Sequence, residues 1–210
     1  MELHEYDGAY VIFGVGGLGR ELWGWIRQEP GLARPLAFVA DDARPGQHYD
    51  GIPVVRRDHF AAPVRYLNAV GSAAGRRKVA ESLAAAGWEA LAYVHSTVLR
   101  GVNVVIGDGV VVCPRATLSS DCTLHAQVLV NVGCGVAHDV VVGAYSTLLG
   151  AASLNGNVTV GEGVTIGAGA QIHPGRRIGD GAIVGMGSAV FTHVRAGTTV
   201  VGNPARRMQA

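Results

Sequence analysis

From residue 94 onward the apolar positions follow a period of six. Counting every sixth residue from Val94 to Val190 gives seventeen positions, of which sixteen are aliphatic and one is Arg100. The position two residues earlier is also apolar or small, as at Val104, Val110, Ala116, Cys122, Val128, Cys134, Val140, Ser146 and Ala152, with Arg176 the clear exception. Helices repeat at about 3.6 residues and strands at two, so a period of six held without slippage predicts short strands joined by identical tight corners. Glycine pairs flanking one residue at 107 and 109, 161 and 163, 167 and 169, and 179 and 181 supply the permissive backbone such corners need. Three sides of six residues close a triangular coil of eighteen. The run is long enough for roughly five to six coils of a parallel β-helix stacked about 4.8 Å apart. The rhythm alone does not set the hand of the helix.

The first 93 residues carry a different pattern. Residues 9–13 (AYVIF) form a buried apolar run, 14–19 (GVGGLG) a glycine turn, and 20–29 suit a helix that ends before Pro30 and Gly31. A second strand is expected over 36–39, followed by Asp41 and Asp42, a third over 64–70, and a second helix over 76–86. The chain therefore divides into a small α/β unit over 1–93, a β-helix over 94–195, and a closing cap over 196–210.

Composition removes several function classes. Seventeen Lys and Arg against sixteen Asp and Glu leave a net charge of +1, and the arginines are scattered, so neither nucleic acid nor an anionic membrane surface is an expected partner. The opening MELHEYDGAY has no Lys or Arg and no segment approaches 18 consecutive apolar residues, which predicts a cytoplasmic chain without membrane insertion. Three cysteines without metal-type spacing, Cys113, Cys122 and Cys134, suggest reduced structural thiols, two of them at core-facing positions.

Three features could carry chemistry. Gly14, Gly16 and Gly19 satisfy a GxGxxG turn between strand and helix, where main-chain amides can meet a phosphate, and Asp41 and Asp42 stand where a ribose hydroxyl is often met. A unit of some 90 residues is small for the full two-halved dinucleotide fold, so a nucleotide sugar fits better than a nicotinamide cofactor. His138 and Asp139 occupy the third and fourth places of a hexad, the corner positions. A polar corner is ordinarily solvated structure, as at Asp108, Asp121, Glu162 and Asp180, but an imidazole can remove a proton near neutrality while a neighbouring carboxylate fixes its tautomer. The third feature, 201–208 (VGNPARRM), is by composition a turn closing the last coil. No metal is expected: His138 and His173 are almost two coils apart, roughly 10 Å in height, and a zinc hydratase would need a site shared between subunits. Nor does any Ser or Cys sit with a base in a pattern suggesting a covalent acyl-enzyme.

Together the GxGGxG turn, the strand ending in Asp-Asp, the uninterrupted hexads, Asn131 seven residues before His138 and Asp139, and the closing GNPARRM resemble the sugar O- and N-acyltransferases of left-handed β-helix (hexapeptide repeat) architecture. That family includes the nucleotide-sugar N-acetyltransferase of the bacillosamine pathway and the sialic acid O-acetyltransferases. The resemblance implies a homotrimer with active sites between neighbouring β-helices, acetyl-CoA as acyl donor, and direct attack with His138 as general base beside Asp139. It also implies that Gly14, Gly16, Gly17, Asp41 and Asp42 meet the nucleotide sugar and that Asn131 lines the same pocket. Gly156, Ala168, Gly185, Met186, Gly202 and Pro204 would contact the coenzyme. Leu18 stands where the family commonly has His, and Thr147 where a relative has a second His. N-acetylation of a nucleotide-linked amino sugar, O-acetylation of a sialic acid or other surface-polysaccharide hydroxyl, a zinc β-helix hydratase with its site shared between subunits, and a non-catalytic nucleotide-binding scaffold all remain open at this point.

Overall fold

The computed structural model describes residues 1–208 and falls into two compact units, Met1–Tyr93 and Val94–Ala210. In the first, β1 (Tyr10–Phe13) is buried on every residue and leads through the glycine turn into α1 (Gly17–Ile26). There follow β2 (Phe38–Val39), β3 (His48–Tyr49), β4 (Ile52–Val55), β5 (Arg65–Asn68) and α2 (Ala73–Ala85). The sheet runs β3-β4-β2-β1-β5, parallel except for β3, which pairs antiparallel with β4. Val11, Phe13, Val39, Tyr66, Leu83 and Trp88 pack one side of its core. The helix expected from residue 20 begins at Gly17, inside the glycine turn. The helix expected from 76 begins at Ala73, because Ser72 caps it by accepting the Gly75 amide at 3.2 Å. The strand pair β3 and β4 was not expected. Burial in β4 alternates, with Ile52 and Val54 inward, but Pro53 argues against a strand by its missing amide, and β4 is held by parallel pairing to β2.

In the second unit seventeen two-residue strands from Tyr93–Val94 to Ala189–Val190 recur every six residues. They stack into three parallel sheets in which each strand pairs with one eighteen residues away, as Gly135–Val136 does with Thr117–Leu118 and Ser153–Leu154. At three strands per coil, seventeen strands make between five and six coils of a parallel β-helix. The inward rows are dry: Leu118, Val136, Leu154 and Ile172 are all 0–1 % exposed. Each such side chain contributes roughly 1.5–3 kcal/mol over its exposed state. The corners are alike to a degree the glycines alone did not foretell. From Asn103 to Gly187, every sixth residue has a φ between 55 and 70°, the left-handed region. Glycine fills seven of these fifteen places and Asn or Asp another four, the residues that reach this conformation at least cost. At the end, Thr199–Val201 adds to the third sheet and Arg206–Arg207 folds back antiparallel on it. All three cysteines are buried, including Cys113, which does not occupy one of the regular inward positions.

Candidate active site

The corner at 137–140 carries the chain from Gly135–Val136 in the first sheet to Val141–Val142 in the second. Val136 and Val140 point inward at 0–1 % exposure, which turns 138 and 139 outward. Asp139 takes the left-handed place, φ 58°. There its carboxylate Oδ2 lies 2.7 Å from His138 Nδ1, and the two side chains are 59 and 53 % exposed. The neighbouring coils hold this corner by its main chain. Asp139 N–H donates to Ser120 O at 3.2 Å, and Asn157 N–H donates to His138 O at 3.0 Å. With its proton on Nδ1 and directed at the carboxylate, the imidazole presents a lone pair at Nε2, the arrangement of an oriented general base. The Cε1–Nε2 edge of the ring lies over Gly156, one coil on, where a Cβ would come within 2.5 Å of Cε1 and 2.6 Å of Nε2.

Asn131 belongs to another corner, the one leading from Leu129–Val130 in the third sheet into the first. Its Oδ1 accepts the Val132 amide at 2.6 Å. Gly185 lies three steps of eighteen beyond Asn131, and Met186 one such step beyond Ala168, on the same edge, joined by ladder bonds such as Ala151 N–H to Val132 O and Gly187 N–H to Ala168 O, both 2.9 Å. Met186 is 77 % exposed. Gly202 and Pro204 follow Thr199–Val201, the last parallel strand of the third sheet, and the Gly202 amide donates to Ser188 Oγ at 3.1 Å. The residues singled out from the sequence therefore occupy two edges of one face. His138, Asp139 and Gly156 lie on one edge; Asn131, Ala168, Gly185, Met186, Gly202 and Pro204 lie on the other. Six residues of extended chain, at most about 20 Å, separate Val132 from His138. Gly156 stands with the imidazole and apart from the other residues expected along the coenzyme. Asn131 stands apart from the imidazole.

In the first unit the glycine turn splits by function. Gly14 has φ 106°, and a Cβ on Gly19 would strike the Gly14 carbonyl oxygen, so these two glycines let helix and strand approach. Gly16 and Gly17 have nothing within 4 Å of a Cβ and open onto space at the N-terminus of α1. Because β1 and β2 are parallel neighbours, exposed Asp41 and Asp42 emerge at the same sheet end as this turn, the end at which open α/β sheets bind ligands. Arg56 Nη1 donates to Asp41 O at 3.0 Å and leaves the carboxylate unengaged by that contact.

Cys134, the thiol nearest His138 in sequence, is 1 % exposed and donates to Leu149 O at 3.1 Å; burial pushes it up to about 11. It is unsuited to nucleophilic work. Thr147 is also buried, at 3 %. Among the described residues no group of three or more His, Cys, Asp or Glu is placed to hold a metal ion, and no helix is long and apolar enough to cross a membrane.

Residues 157–192 match the family described as bacterial transferase hexapeptide (six repeats). Over 213 residues the chain is 37 % identical to the GDP-perosamine N-acetyltransferase of Escherichia coli O157:H7, covering 95 % of this chain and 96 % of that protein. The chain belongs to the hexapeptide-repeat sugar N-acetyltransferase family. Among solved structures, WeeI from Acinetobacter baumannii AYE superposes with a TM-score of 0.88 at 33 % identity, over 95 % of this chain and 99 % of that one. PerB from Caulobacter crescentus, in complex with CoA and GDP-perosamine, gives 0.87 at 27 %, over 97 and 99 %. The same Caulobacter enzyme has been solved with one histidine replaced by Asn, again with both ligands.

Proposed function

We propose that this acetyltransferase moves the acetyl group of acetyl-CoA onto the amino group of a nucleotide-linked amino sugar, with GDP-perosamine the first acceptor to test. The observation that carries the reading is the outward imidazole at 138, held at Nδ1 by Asp139 and free to accept a proton at Nε2. His138 Nε2 takes the proton that the attacking amine sheds, Asp139 stabilises the resulting imidazolium, and the same proton then leaves with the departing thiolate of CoA. The Gly156 N–H makes no hydrogen bond within the described residues and is a donor for the oxygen on which charge develops. The N-acetyltransferase activity of the Escherichia relative and the CoA and GDP-perosamine bound to the Caulobacter one support nitrogen over oxygen as the acceptor atom.

The two-edge distribution supports an assembly in which a second copy lays its Asn131–Met186 edge, and the coenzyme along it, opposite His138; the homotrimer is the arrangement we propose, in the cytoplasm. The unit over 1–93 would hold the nucleotide through the open Gly16 and Gly17 amides, with Gly14 shaping the turn and Asp41 and Asp42 meeting the sugar hydroxyls. Residues 94–195 would carry the acyl transfer and 196–210 the cap and coenzyme loop.

Free thiol release from acetyl-CoA, followed against GDP-perosamine, UDP- and dTDP-linked amino sugars and free sialic acid, tests the reading. Release with a nucleotide-linked amino sugar alone is expected. Release with sialic acid alone, or with none of the panel, overturns it.

A further inference from the structure

Gly156 is eighteen residues beyond His138, so the ladder register of the first and second sheets sets one directly above the other. Its φ lies outside the left-handed region, and its backbone would accept any residue. What a side chain here would meet, in the ring's present position, is the imidazole. A Cβ built at 156 meets His138 Cε1 at 2.5 Å, Nε2 at 2.6 Å and Nδ1 at 3.3 Å, and the ring's other fixed contact is the 2.7 Å bond from Nδ1 to Asp139. Two constraints therefore locate the base: a carboxylate on one side and a bare α-carbon under the opposite edge.

We infer that Gly156 is a positioning residue for His138: the missing side chain is the seat of the imidazole, and it keeps Nε2 open to the acceptor while Nδ1 stays on Asp139. This rests on the proposed role of His138 as base. A methyl group at 156 has two outlets, and both harm the reaction. The ring can swing away, which breaks the Nδ1 contact and lets the proton distribute over both nitrogens, or it can stay and have Nε2 covered. A coenzyme contact through the Gly156 main chain would survive alanine, so the seat and the contact are separable.

The test is a cycle of Gly156→Ala, His138→Ala and the double variant, read by turnover, by calorimetric binding of acetyl-CoA, and by nitrogen NMR of the imidazole in 15N-histidine-labelled protein. Gly156→Ala should lower kcat at least about tenfold, within the 10²–10⁴-fold ceiling for a positioned base. It should also move the His138 tautomer signal and leave acetyl-CoA affinity within about threefold. In the His138→Ala background it should lower residual turnover no further, because there is then no ring to seat. An equal additional loss in that background, or an unmoved nitrogen signal in Gly156→Ala, overturns the inference. Should Gly156→Ala fold poorly, the double variant removes the clash and is expected to regain the parent melting temperature; failure to regain it also overturns the seat. Full turnover in His138→Ala alone would remove the base and leave the nitrogen signal to decide the seat, so the two failures are distinct.

Discussion

Asp121 and Asp139 are eighteen residues apart, one coil on the same corner, with φ of 59 and 58°. Both satisfy the corner's demand for a residue that tolerates the left-handed region. Their carboxylates differ in what they engage. Asp121 Oδ1 accepts from Asn103 Nδ2 at 2.9 Å, tying one coil to the one below. Asp180, at the following edge, likewise accepts the Glu162 amide at 2.9 Å. Asp139 instead turns to the ring of its own neighbour in sequence. A polar corner residue is thus explained as scaffold when its side chain completes the ladder, and Asp139 is the member of the set whose side chain orients an imidazole, a group able to accept a proton.

The largest test of that contrast is His138→Ala, expected to cut turnover by roughly 10²–10⁴-fold while the melting temperature stays near that of the parent. Parental turnover would reduce the corner to scaffold. Asp139→Asn should cost less, about tenfold, because it disturbs tautomer and imidazolium stability but leaves the base in place. Asp121→Asn, the same change one coil away, should leave kcat within twofold. Equal losses at 121 and 139, measured side by side, would erase the distinction between them. Asp121→Ala should lower the unfolding free energy by about 1–2 kcal/mol, from the loss of one exposed hydrogen bond and from an alanine held in the left-handed region. The smallest effect is expected from Cys134. Its thiol, ordinarily near 9 and raised to about 11 by burial, should resist alkylation at pH 8 in folded protein. Because the folded value is the higher one, the stability contributed by the neutral thiol is complete below pH 9 and is lost as the pH climbs toward 11.

The β-helix was legible because its inward rows are almost wholly aliphatic and nothing else explains a period of six. The corner chemistry was only half legible. Gly109, Gly163 and Gly181 announce the left-handed place, but Arg115, Gln127, Tyr145 and Ala151 occupy it too, held there by the ladder on either side. The adjacency of His138 and Asp139 could be read directly. The grouping of the other site residues could not, because a count of six assigns each residue its place within a side, whereas its edge follows only from a count of eighteen. On that second count Gly156 falls over His138, and Asn131 joins Met186 on the far edge. In the first unit β4 was not legible because it is short, carries Pro53, which has no amide to donate, and is held by partners distant in sequence.

The eighteen-residue register makes the β-helix a ruler with fixed divisions. Duplicating one whole coil would raise everything beyond it by a single division of about 4.8 Å without rebuilding any corner, whereas an insertion of six would rotate the later residues onto a different edge. The spacing between the imidazole and the far end of the helix can therefore change only in whole steps. A series of such lengthened chains would test the proposed course of the acyl donor along the far edge.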